Sequence, residues 1–470
     1  MTAIQNGVEA KSVDPLQSVD DNDLLLGYSV SGNKYGTIRV GMINARQWAG
    51  CRWKLSDSTP IGEPCGSIDK IAQLSDLLGL GGYLVQNDHT RRKLNTDTHY
   101  KFTDGSIAAL DGSMGHYQWG WGVPLYYAYW QDGTYEYEAI DVKPIPGHWN
   151  YKIPIGSRSA AGFATMDRTN GNLVSYINSA AQYRGGNNNS SKDSAWNSQL
   201  GMPATAMTIT AFAAAARKNG NLWFANERVM FFITGVIKRI IFHNKNIQSA
   251  FNSSLTSQGL RQGGTGNGQD LPSNWSTWDY YPYVPLSIGA DKGDLTGIIS
   301  TSINDNGTAR TIGNIPSFFG LKNDYHNLWG MEEDVLLNTQ PDRSIKVYIN
   351  NNIDGSVFDN SKIDNHYLVG TIPAVATDYI WYWSARQNRE RLVIYPNTIG
   401  GSETTDDCDG YYYGSNSGLR GADCLGSAGD AGSAGSCCLH ADTGFGDCGA
   451  GWGAALCEFK EAFSTEPFMA

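Results

Sequence analysis

The stretch "ERVMFFITGVIKRIIF", Glu227 to Phe242, is the strongest constraint on how this chain can fold. Val229, Ile233, Val236, Ile237, Ile240 and Ile241 recur at helical spacing, which predicts a helix over about 225–244 with an apolar face that needs cover. The run is too short to span a bilayer and is broken by Lys238 and Arg239, so membrane insertion is not expected. A central buried helix is the alternative, with the remainder of the chain wrapped around it.

Two further helices are predicted. In "SIDKIAQLSDLLGLGG", Ser67 can cap the start. Ile68, Ile71, Leu74, Leu77 and Leu78 share a face, and Gly79 or Gly81 can end it. "PATAMTITAFAAAARKNG" has Pro203 near its start and Gly220 past its end. After residue 245 the pattern changes to Gly/Asn/Ser-rich stretches between short strand-like runs such as "SIKVYI" and "RLVIYP", with "NDNG" (Asn304–Gly307) as a hairpin turn. Helices first and small strands later predict an α+β domain with two or three helices, short strands and long loops.

Residues 1–27 are polar and read as an arm that orders against a partner. Residues 28–49 read as a short β segment, 50–407 as the body and 408–460 as a separate C-terminal region. The N-terminus has no charged region followed by an apolar run, which predicts no secretory leader and assembly in a reducing cytoplasm, where disulfides are disfavoured. A net charge of −11 argues against nucleic acid as partner, and 14 Trp with 25 Tyr suit either packed or recognition surfaces.

Familiar chemistry is missing from the motifs. "GGTGNG" (Gly263–Gly268) lacks the Lys-Ser/Thr ending of a phosphate loop. Asn350, Asn352, Asp354 and Gly355 open like a calcium loop, but position 361 is Ser where a bidentate acid should close it, and a plain turn serves as well. The eight histidines form no pair at ligand spacing, no CxxC occurs, and Cys437 adjoins Cys438. Neither a metal, a cofactor nor an enzymatic activity is expected from these residues.

The C-terminal region has an unusual composition. The 50 positions from Cys408 to Cys457 hold 13 Gly, 8 Ala, 6 Cys, 5 Ser and 5 Asp, and no Lys, Glu, Gln or Met. Codons ending in a pyrimidine cannot encode those four absent residues, so randomising the two adenines of AAC codons would leave this set; Trp452 then needs a fixed or different codon. A Gly-rich low-complexity loop is the plainer reading. Between the odd residues runs a grammar: "GLRG", "AGS", then "GAALCEF".

That ending resembles the variable region of proteins diversified by retroelements, which carry a C-type-lectin-like (formylglycine-generating-enzyme-like) fold, as in phages of gut anaerobes. "CRWKLSDSTPIGEP", "DGSMGHYQWGWG", "PATAMTITAFAAAARKNG" and "FFGLKNDYHNLWG" are similar to the body of that group, so the likeness covers about residues 50–460. Ala455 stands where the pattern has Arg, and Trp452 where it has an aliphatic residue. The EPN and WND signatures of calcium-dependent lectins are absent.

The resemblance implies a binding module with variable, exposed positions at Asp409, Tyr411, Tyr412, Tyr413, Asp423, Cys424, Ser427, Asp430, Cys438, His440, Asp442, Phe445, Asp447, Cys448 and Trp452. It further implies a virion protein assembled in the host cytoplasm, a tail-fibre or tip component that recognises a host cell-surface protein or glycan. Other virion proteins would be met through residues 1–27, and the chain would form a homotrimer. Few of the variable positions are aromatic, so modest affinity per site is expected, raised by several copies acting together. The alternatives are an enzyme of the formylglycine-generating type, which needs a reactive cysteine pair, and a structural capsid or fibre decoration.

Overall fold

A computed structural model describes residues 48–186, 200–251, 284–305, 308–325, 327–356, 363–375, 379–388, 392–414, 417–427 and 430–470, with the backbone of four short strands before residue 40. Those four form two hairpins, Ile4–Gln5 with Val8–Glu9 and Leu24–Ser29 with Lys34–Arg39; the second straddles the expected boundary at 27/28. "GGTGNG" lies outside the described residues.

The predicted central helix is present as a 15-residue helix, Arg228–Phe242. Glu227 caps it by accepting the Met230 N–H at 2.9 Å, and His243 ends it in the left-handed conformation. Its three cations are buried and paired rather than exposed. Arg239 makes two bonds of 2.8 Å to Glu138, and Lys238 meets Asp324. At the other end Arg228 reaches Asp334 at 3.0 Å and the Leu392 and Asn350 carbonyls. These pairs clamp the helix on both sides, because a buried cation without its acid would carry a large desolvation cost.

The two other predicted helices are shorter than the pattern suggests. The first is split at Gln73 into Ile68–Ala72 and Leu74–Leu78. Ser67 caps it and Gly79 ends it as expected, whereas Ile68 faces solvent. The second begins at Ile209, because Thr208 rather than Pro203 supplies the cap, its Oγ1 accepting from Ala211 N at 3.2 Å.

Two six-stranded antiparallel sheets flank the helix. One runs in the order Phe468–Met469, Trp149–Ile153, Leu125–Gln131, Tyr135–Asp141, Ala49–Lys54, Glu63–Gly66. The other runs Trp223–Ala225, Leu456–Phe459, Gly156–Ser159, His116–Gly120, Gly81–Val85, Arg91–Lys93. The "LCEF" ending therefore fills an inner strand, where Leu456, Cys457 and Phe459 are fully buried and Glu458 is held by Arg91, His89 and Ser157. Ala455 is also enclosed, bonded in both directions to Asn226.

A nine-stranded sheet forms the second half. Its order is Tyr367–Ile372, Ile345–Ile349, Trp329–Thr339, Gly418–Cys424, Leu439–His440, Gly410–Tyr412, Tyr379–Asn388, Val393–Ile399, with Trp452–Gly453 attached beside Trp329. The end strands curl toward each other. The Tyr395 hydroxyl bonds the Val369 carbonyl at 2.8 Å, and a Cβ at Gly370 would lie 2.0 Å from that hydroxyl, so only glycine admits this closure. The nearly closed barrel is filled by Val335, Leu337, Val347, Tyr382, Tyr395 and Tyr411 among others.

The α+β, lectin-like expectation with long loops is thus overturned. Of the described residues, 42% lie in strands and 13% in four α-helices and short 3-10 turns. Two physical reasons account for the misreading. The runs after residue 290 pair into strands of up to 11 residues whose alternation is broken by bulges, as between Glu332 and Leu336. The Gly-rich tail, which lacks strand-forming composition, is drawn into the sheet by neighbours that satisfy its backbone. Asp305 pairs with Thr308, so the strands flanking the "NDNG" turn form a hairpin; Asn306 and Gly307 lie outside the described residues.

Candidate functional site

The tail enters the barrel as four strands, Gly410–Tyr412, Gly418–Cys424, Leu439–His440 and Trp452–Gly453, and strand pairing decides which side chains can meet a ligand. Successive residues of a strand face opposite sides, and directly paired residues share a side. Tyr379 pairs with Tyr412, Tyr412 with His440, and His440 with Asp423. This row crosses four strands on the outer face, while Tyr411, Tyr413 and Leu439 point into the barrel core.

The outer row lines a cleft of about 320 Å³, at the lower end of the volumes of small-molecule sites. Tyr412 and His440 stack face to face at 4.4 Å and 2°. Trp329 leans over His440 at 5.5 Å. Ser427, Asp430 and Cys438 complete the wall. Among the described residues Asp430 is the only carboxylate in the lining, and one of its oxygens accepts both the N–H and the hydroxyl of Ser427 at 2.7 Å. Burial pushes the Asp430 carboxyl above the usual range, opposed by those Ser427 bonds.

Behind the rings sits Asp423, fully buried. One oxygen accepts the Trp452 indole N–H at 2.9 Å and the Thr443 hydroxyl, and lies 3.3 Å from His440 Nδ1. Thr443 Oγ1 is also 3.1 Å from that nitrogen. The imidazole is thereby fixed in orientation, and Nε2 is the ring nitrogen left for a ligand.

The fifteen expected positions divide cleanly. Tyr412, Ser427, Asp430, Cys438 and His440 line the cleft, and Asp423 and Trp452 brace it from behind. Asp442, Phe445, Asp447 and Cys448 follow on the loop after His440; Asp447 and Cys448 are exposed there. Asp409, Tyr411, Tyr413 and Cys424 are buried. Asp409 accepts the Cys437 N–H at 2.7 Å, and burial beside Asp407 holds its carboxyl well above its ordinary value. Cys424 donates to the Gly330 carbonyl at 3.0 Å and packs in the core around the central helix.

Trp329 and Tyr379 belong to the body and were not among the expected positions. The aromatic run "DYIWYW" was a usable signal for Tyr379, since alternate rings of a strand must face outward. Trp329 left no local sign, because long-range pairings of its strand with Trp452 and with Cys424 bring it to the cleft.

All eight cysteines are free thiols. Burial raises both Cys437 and Cys438, the reverse of the shift that activates a thiol nucleophile. Among the described residues no group of three or more His, Cys, Asp or Glu side chains is placed to hold a metal ion, and no helix is long and apolar enough to cross a membrane. At the weak calcium-loop candidate, Asp354 caps an ordinary turn by accepting the Ser356 N–H at 2.9 Å. No protein-family model matches this chain, and no curated protein matches it.

Proposed function

We propose that this chain is a host-recognition protein of a phage virion, binding a cell-surface ligand in the cleft on the outer face of the barrel. The supporting observation is the convergence of five tail side chains, Tyr412, Ser427, Asp430, Cys438 and His440, with body aromatics Trp329 and Tyr379 on one concave surface. Tyr412 and His440 are held in strands, Ser427 in a single bridge to Asn327, and Asp430 and Cys438 in the connecting turns, and outward side chains such as Tyr412 and His440 can change without disturbing the barrel core. That is the physical requirement for a redrawable binding surface on a constant scaffold.

In this reading the chain binds its ligand without transforming it. Residues 1–27 attach it to other virion proteins, and a homotrimer multiplies modest single-site affinity. Diversification is confined to outward positions. A neighbouring near-copy of the 408–457 coding segment, with adenines where the two differ, beside a reverse transcriptase gene, is its genetic source.

The test is competition for adsorption. Purified chain added to host cells should reduce adsorption of the parent virus, and a Tyr412→Ala/His440→Ala chain should not. Equal blocking by both chains would remove the cleft from recognition. Sibling copies should differ at Tyr412, Asp430 and His440 and agree at Tyr411 and Leu439; differences scattered evenly through the body would favour a structural decoration instead.

A further inference from the structure

The strand Tyr379–Asn388 supplies one wall of the cleft and then continues past it. Its inward residue Tyr382 is fully buried in the barrel core, and Ile380 packs against the same core. Tyr379 and Trp381 therefore project outward from alternate positions, and Trp383, at the bulge between Tyr382 and Ser384, is exposed beyond them. Tyr379 is 41% exposed and Trp383 52%. Large aromatic rings in a row on a solvent face are unusual for a surface that stays bare.

The row is held firmly. The Trp381 carbonyl accepts the N–H groups of both Gly400 and Gly401, at 3.1 and 3.2 Å, which ties the strand to the following turn. The Tyr379 and Trp381 rings lie 6.1 Å apart at 80°, so the aromatic surface turns a corner as it enters the cleft. Beyond the corner it continues through Tyr412 to the stacked His440. Alternate residues of a strand are separated by about 6.8 Å, a spacing on the scale of one pyranose ring.

The polar groups beside this track are few. In the cleft they are the Asp430 carboxylate, the His440 imidazole and hydroxyl groups, and among the described residues no Lys or Arg lines it. Alongside the strand, the Ser384 and Thr398 hydroxyls bond each other at 2.7 Å. Among the described residues such a surface offers ring faces to C–H groups and single acceptors to hydroxyls, and no Lys or Arg that would neutralise a carboxylate or sulfate.

From this geometry we infer that Tyr379, Trp381 and Trp383 extend the cleft into a track for a neutral glycan chain, with the terminal or branching sugar seated against Tyr412 and His440. The inference rests on the outer face being the recognition surface and names the class of ligand it recognises. Aromatic stacking supplies the affinity, and Asp430 with His440 selects the hydroxyl pattern.

Native gels cast with soluble xyloglucan, galactomannan or yeast mannan, and with alginate as the anionic comparison, test this directly. At least one neutral polysaccharide should retard the protein and alginate should not. Trp383→Ala and Tyr379→Ala should each weaken retardation by roughly 5- to 30-fold, the range for losing a binding anchor. Both side chains are exposed, so folding is not at risk, and Trp383→Phe should restore most of the retardation. Retardation by alginate alone, by none of the gels, or equally by wild type and the Trp383→Ala/Tyr379→Ala chain would overturn the inference. Loss of glycan retardation with adsorption competition intact would overturn this inference and leave the recognition role standing. Retardation without competition would do the reverse.

Discussion

Truncating either of two adjacent tyrosines, Tyr411 and Tyr412, should have opposite consequences. Tyr411 is 0% exposed and packs in the barrel core near Tyr382. A tyrosine buries roughly 150–250 Å², worth about 4–6 kcal/mol at about 25 cal/mol/Å². The methyl group that Ala retains and the partial burial in the unfolded chain reduce this to about 3–5 kcal/mol. Tyr411→Ala should therefore lower Tm by roughly 3–5 °C. Tyr412→Ala, on the outer face, loses chiefly its stack on His440, about 1 kcal/mol, and should keep the fold while abolishing ligand binding. The Tyr411 hydroxyl has no hydrogen-bond partner among the described residues, so Tyr411→Phe should be neutral or up to about 1 kcal/mol stabilising. Calorimetry of the three variants beside wild type is the assay. Equal destabilisation by the two Ala variants, or a damaging Tyr411→Phe, would mean the strand is not in the register described, since a one-residue slip exchanges the two faces.

Arg239→Met should cost about 3–5 kcal/mol in urea unfolding by stranding Glu138, and adding Glu138→Gln should recover part of that loss. His116 is enclosed between the Ser175 N–H and Asn87, and burial lowers its pKa to about 3, as it lowers buried His99 to about 4. Between pH 6.5 and those values the unfolded chain takes up protons that the folded chain does not. Stability should fall as pH drops from about 6.5 to 4, and His116→Gln should flatten that slope in a urea series. In thiol labelling followed by mass spectrometry, Cys448 should react first and Cys65 more slowly. The six buried cysteines, all but Cys51 lying in the tail, should react only on unfolding.

The helix Arg228–Phe242 was legible because its signal is local: one face of apolar residues at helical period; the Glu227 cap and the His243 end came only with the structure. The same holds for the Ser67 and Gly79 caps. The barrel was not legible. Its strands join residues as far apart as Trp329 and Trp452, and bulges shift the two-residue alternation within single strands. Lys238 and Arg239 read as interruptions of an apolar run because their acids, Asp324 and Glu138, lie about a hundred residues away.

The tail shows most plainly where sequence information stops. Composition alone marked residues 408–457 as set apart, and the resemblance marked its "GLRG" and "LCEF" segments as constant; both are strands of the two halves of the fold. Which of its side chains face the outer cleft was decided by tertiary structure. Pairing with Tyr379 and Trp329 puts Tyr412 and His440 outward and Tyr411 inward. A glycine-rich segment has little conformational preference of its own, so its facing is set by the strands that receive it.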